Sequence, residues 1–100
     1  MRRQRVDGMR ESDVLILEYL LNEGNQDLIA NPKIIAVNTD FQPNTIRKRM
    51  KPLREADLIK YYDENAGEYE IAAKGRRYLN GELTQNEIEE IEEILTAELG

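Results

Sequence analysis

The 100-residue sequence predicts a mostly helical α+β domain with a two- to three-stranded β-wing and an extra C-terminal helix. Three observations carry that expectation. Asn31-Pro32 and Gln42-Pro43 each set a polar residue before a proline at the head of an apolar-periodic stretch, which is how helices start. Ile59 to Asp63 and Glu68 to Ala72 flank Glu64-Asn65-Ala66-Gly67, a loop with the Asn and Gly that hairpin turns favour. Thr84 and Glu87 are the two halves of a capping box ahead of a long apolar stripe.

Taken in order, residues 1–10 contain Arg2, Arg3, Arg5 and Arg10 with little apolar content, and are expected to be a mobile basic arm. Such an arm is a solvated end, or alternatively reaches phosphates or a minor groove beside a bound domain. A first helix begins at Ser12 as N-cap, with Val14, Leu15, Leu17, Tyr19, Leu20 and Leu21 as its apolar face and Gly24 as its C′ residue. Gln26 to Ala30 is short enough to add one strand to a small sheet. The second helix, of about two turns, starts at Asn31-Pro32 and turns Ile34, Ile35 and Val37 inward. Asn38-Thr39-Asp40 is turn chemistry, and Phe41, the only Phe, plugs the junction with the next helix.

The third helix, 43–55, buries Ile46, Met50 and Leu53 at i, i+4, i+7, and the residues between them are expected to face out. Pro52 removes one backbone bond late in this helix and loosens its last turn. Asp57 stands where a left-handed residue, more usually Gly, closes a helix. After the hairpin, Lys74 to Leu79 forms another short helix with Tyr78 and Leu79 inward. The last helix carries Ile88, Ile91, Leu95 and Leu99 as one stripe, Ile94 at its edge, and an opposite face almost wholly Glu. A stripe that narrow either folds onto its own core or pairs with the same helix of a second subunit. Pairing is the expectation, because the spacing of three and four holds over four positions. The resulting division is an arm over 1–10, a domain over 11–83 and a dimerisation helix over 84–100.

Charge is segregated along the chain. The formal net charge is −6, yet residues 44–54 hold Arg47, Lys48, Arg49, Lys51 and Arg54 without one Asp or Glu. Acid collects elsewhere, five residues between Glu11 and Asp27 and six between Glu87 and Glu98. A positive helix in an acidic chain is a focused footprint for a polyanion. Helix, short strand, helix, turn, helix, hairpin is also the order of a winged helix-turn-helix, whose third helix enters the major groove of double-stranded DNA. Asn44 and Thr45 in the first turn suit adenine and a thymine methyl, and Arg47 or Lys48 suits guanine. Arg49, Lys51 and Arg54 suit phosphates, with Lys33, Arg76 and Arg77 as flanking candidates. Asp63, Glu64 and Glu68 make the wing tip acidic, so that it avoids phosphates.

The segment QPNTIRKRMKPLREADLIKYY and the wing ending in EYEIAAKGRRYLNGEL resemble the small winged helix-turn-helix regulators of archaea, especially the repressor-like proteins of haloarchaeal viruses. The resemblance covers about Ser12 to Leu83. It implies a transcriptional regulator, usually dimeric, that binds an operator through the third helix and wing, with Asn44, Thr45, Arg47, Lys48 and Lys51 as the reading residues. Pro52, Asp57 and the acidic wing tip depart from the pattern. Nine Arg against five Lys in an acidic chain have two readings, ordinary variation or the Lys-poor surface of a protein that works in high salt, and the resemblance makes sense of the second.

Without Cys or His, disulfides, thiolate or imidazole metal ligands, and Cys or His catalysis are excluded. Glu68 and Glu70 share one strand face, but with no pocket they are a solvated pair rather than a catalytic one. No cofactor, membrane contact or small-molecule ligand is indicated, and the missing apolar segment at the N-terminus leads us to expect a cytoplasmic protein. The function expected is sequence-specific DNA binding in transcription regulation, as a repressor and not an enzyme. The alternative is a winged-helix protein-interaction module whose basic face docks an acidic partner.

Overall fold

The computed structural model describes residues 3–97. Its elements are α1 (Glu11–Leu21), α2 (Pro32–Val37), α3 (Pro43–Glu55), β1 (Ile59–Asp63), β2 (Glu68–Ile71), α4 (Ala73–Leu79) and α5 (Gln85–Ala97). The mostly helical α+β class is as expected. The sheet is a two-stranded antiparallel hairpin pairing Ile59 with Ile71 and Tyr61 with Tyr69. The expected third strand over Gln26 to Ala30 shrinks to a single bridge, Ala30 to Tyr69, closed by N–H···O bonds of 3.1 and 2.9 Å.

Local chemistry sets the helix ends. The Asn31 side chain accepts the Ile34 N–H at 2.8 Å, which caps α2 as its sequence foretells. α1 starts two residues earlier than expected, with Arg10 rather than Ser12 at the N-cap. The backbone N–H of Arg10 donates to the Asp13 carboxylate at 2.9 Å, and Ser12 is buried inside the helix rather than capping it. Its end is also earlier, since Asn22, at φ 51°, takes the left-handed cap position expected of Gly24. α3 ends in a Schellman closure: Leu58 N–H reaches Leu53 O and Asp57 N–H reaches Arg54 O, both at 3.0 Å. Asp57 occupies the left-handed position, at φ 62°, and Leu53 and Leu58 supply the apolar contact that goes with it.

Ile16, Leu17 and Leu20 of α1, Ile35 of α2, Ile46, Met50 and Leu53 of α3, Leu58, Ile59 and Ile71 around the hairpin, and Tyr78 and Leu79 of α4 make one core. Each fully buried Leu or Ile contributes about 1.5–3 kcal/mol by leaving water. On α2 the inward pair is Ile35 and Ala36, not the expected trio. Ile34 and Val37 are exposed, at 44% and 74%, because six residues give only one narrow face. Gly75 lets α4 lie on the hairpin entry, where a Cβ would stand 2.2 Å from Leu58 O and 2.9 Å from Ile71 Cγ1.

Two terminal expectations change. Residues 3–10 lie against the domain rather than loose. Val6 is buried in the core, Gln4 exchanges two hydrogen bonds of 2.8 Å with the Leu83 backbone, and Asp7 N–H donates to Glu92 at 2.9 Å. The apolar Val6 that made this possible sits among the arginines that suggested mobility. The α5 stripe expected to pair two subunits is used within the chain: Ile88, Ile91 and Leu95 are 7%, 1% and 0% exposed in the same core, with Ile94 packed at its edge. The side chain of Leu99 lies outside the described residues. Thr84 and Glu87 do form the capping box, Glu87 N–H to Thr84 Oγ1 at 3.2 Å and Thr84 N–H to Glu87 Oε1 at 2.9 Å.

Candidate nucleic-acid interface

α3 is amphipathic in charge as well as in hydropathy. Pro43 at N1 and the inward Ile46, Met50 and Leu53 leave Asn44, Thr45, Arg47, Lys48 and Lys51 exposed on one helix. That arrangement offers amide, hydroxyl and guanidinium groups at the helix start and ammonium groups further along. Arg47 Nη1–H donates to Asn44 Oδ1 at 2.9 Å, whereas Lys48 and Lys51 have no hydrogen-bond or ion-pair partner among the described residues. Lys33 is exposed on α2.

Arg49 does not belong to this surface. Its side chain is 4% exposed and its guanidinium is held by the Asp13 carboxylate, itself 0% exposed, with Nε–H to Oδ1 at 2.7 Å and Nη2–H to Oδ2 at 3.0 Å. The reason is visible in the spacing. Ile46, Arg49, Met50 and Leu53 follow i, i+3, i+4, i+7, so Arg49 falls on the buried stripe, and Asp13 with Ile16, Leu17 and Leu20 does the same on α1. Two opposite charges at inward positions of neighbouring helices were the signal that reading α3 by its cations alone overlooked.

Arg54 is half-withdrawn too. Its guanidinium carbon lies 4.9 Å from the centre of the Tyr61 ring, and Tyr61 stacks on Tyr69 with centroids 4.8 Å apart. Burial, and next the neighbouring Tyr61 hydroxyl, push the Tyr69 phenol up to about 12, so it stays protonated beneath the stack. The layer of Arg54, Tyr61 and Tyr69 fixes the base of the wing to the C-terminal end of α3.

The two flanking arginines are likewise engaged. Arg76 pairs with Asp27, and Arg77 pairs with Glu87, Nη1–H to Oε2 at 2.8 Å with a second contact from Nη2 to Oε1. That partner first, and the Thr84 N–H second, hold the Glu87 carboxyl down at about 2. The charged side chains exposed at the wing tip, Asp63 and Glu64, are acidic, and Asp63 Oδ1 accepts the Ala66 N–H at 3.1 Å to close the turn. What survives as a cationic face is therefore Arg47, Lys48 and Lys51 on α3 with Lys33 on α2, narrower than the ten residues first considered and bordered by an acidic wing. Among the described residues no helix is long and apolar enough to cross a membrane.

The family described as winged helix-turn-helix phage repressor matches residues 1–91. No curated protein and no solved structure matches the chain.

Proposed function

Because the chain belongs to the winged helix-turn-helix phage repressor family, we propose that it is a sequence-specific transcriptional repressor that lays α3 in the major groove of double-stranded DNA. The observation that carries the reading is the outward face of α3, where Asn44, Thr45 and Arg47 stand at the helix start and Lys48 and Lys51 follow on exposed positions with no partner among the described residues. The first three suit base edges and the lysines suit phosphates, as point charges that tolerate any sequence. Asp13 and Arg49 set the attitude of α3 on α1, and Arg54 with Tyr61 sets the wing. The acidic wing tip keeps that loop off the phosphates, so helix contacts carry most of the affinity.

Repression follows from occupancy, since a domain seated in the groove excludes other proteins from the same site. The acidic, Arg-rich composition supports an archaeal viral setting in a salt-rich cytoplasm, where counterion release gives less affinity and base contacts must give more. The α5 stripe offers no support for a homodimer, because its described members are already in the core.

Fluorescence anisotropy on a labelled mixed-sequence duplex tests the reading. Binding at low salt should weaken linearly with the logarithm of salt concentration, with a slope of about −0.9 for each phosphate neutralised. Replacing Lys48 and Lys51 by Ala should make that slope shallower by about 2. Replacing Arg76 should leave it within about 0.5 of the parent value, because that side chain is committed to Asp27. Absence of binding at low salt, or an unchanged slope in the lysine variant, would count against DNA.

A further inference from the structure

Among the described residues, the outward face of α3 contains one side-chain hydrogen bond of its own, Arg47 Nη1–H to Asn44 Oδ1 at 2.9 Å. A guanidinium has five donors and no acceptor, so the Asn44 amide must turn its oxygen to Arg47 and its NH2 away. That contact competes with one option. Adenine is recognised by an Asn whose oxygen accepts from N6 while its nitrogen donates to N7; the Arg47 bond uses one of that oxygen's two lone pairs and ties the amide plane to Arg47 rather than to a base. What the pair presents outward is mostly donors: the remaining Arg47 N–H groups and the Asn44 NH2, beside one lone pair of the Asn44 oxygen.

Guanine is the base whose major-groove edge is acceptors only, O6 and N7. The two residues are an i, i+3 pair in the first half of α3, the part of a recognition helix that meets base edges. Lys48 and Lys51 lack such a neighbour among the described residues and remain mobile point charges suited to phosphates. We infer that Asn44 and Arg47 act as one unit addressed to guanine, with Arg47 the specifying residue and Asn44 the positioning residue that aims it. This inference rests on α3 being the DNA-reading helix.

Selection of bound duplexes from a randomised pool tests it, using the full chain, Asn44→Ala, Arg47→Lys and the double variant. All three changes lie on exposed positions, so the fold is retained. The parent should enrich duplexes with guanine at one fixed position, preferring it about 5- to 150-fold over other bases. Asn44→Ala should flatten the preference at that same position and at no other. Arg47→Lys should do the same while keeping the salt slope, and the double variant should be no worse than Arg47→Lys. A fixed adenine that vanishes in Asn44→Ala while the guanine persists would mean that the two residues read separate bases, and would overturn the inference. Salt-sensitive binding with no enriched base would overturn it too while leaving DNA binding intact, whereas no retention of any duplex at low salt would remove both.

Discussion

Arg49 of α3 and Asp13 of α1 form a two-point ion pair, 2.7 and 3.0 Å, at 4% and 0% side-chain exposure. Asp13 uses the same carboxylate to accept the Arg10 backbone N–H at 2.9 Å, so one group caps α1 and ties it to α3. The basic helix thus divides its charge between two tasks, with Arg49 turned inward to hold the helix and Arg47, Lys48 and Lys51 turned outward.

Breaking that pair from one side leaves a buried charge without a partner. Arg49→Ala should therefore cost about 3–5 kcal/mol in urea unfolding, a large part of the stability of a domain this size. Replacing both partners, Asp13→Leu with Arg49→Met, should recover most of the loss. If Arg49→Ala left stability unchanged and only weakened DNA binding, the side chain would be a phosphate contact after all.

Gly75→Ala sets two effects against each other. Alanine favours helix by about 1 kcal/mol, but its Cβ would stand 2.2 Å from the Leu58 carbonyl oxygen, a backbone atom that cannot swing aside. The clash should win, with a net loss of about 1–3 kcal/mol seen as a lower melting temperature. A more stable variant would show that α4 lies further from the hairpin than described.

Glu87 gives an acid-side prediction. Its folded carboxyl, held at about 2 by Arg77 and the Thr84 N–H, lies below the ordinary value of 4.5, so the stabilisation is complete above that ordinary value and is lost as pH falls toward the folded one. In paired unfolding curves, the advantage of the parent over Glu87→Gln should hold at neutral pH and shrink between about 4.5 and about 2. A gap that stays constant over that range would contradict the assignment.

Leu95→Ala separates core from interface. Leu95 is 0% exposed within one chain, so truncation should cost about 2–5 kcal/mol, while sedimentation of the folded fraction gives the same mass as the parent. A change of mass with little loss of stability would restore the α5 stripe to a subunit interface.

Periodicity and cap chemistry made most of the fold legible. Pro32, Pro43, the Thr84–Glu87 box and the Asn65-Gly67 loop each mark an element that the structure contains. Asp57 could be read as a left-handed cap because the apolar residues Leu53 and Leu58 bracket it. What escaped was tertiary. Whether the α5 stripe meets its own core or a second subunit is not written in its spacing, since both partners present the same apolar chemistry. Val6 in an arginine-rich stretch carries too little signal to announce docking. Arg49 was legible in principle, by its i+3 place after Ile46, but its charge drew it into the DNA-facing set.

The central claim, that the exposed start of α3 reads DNA, is tested most directly by capturing fragmented genomic DNA from the source with the full chain and with the Arg47→Ala, Lys48→Ala double variant. Enrichment of one sequence by the parent and its loss in the variant is the expected result. Failure of the parent to retain any fragment even at low salt, or an identical enrichment by the variant, would contradict it.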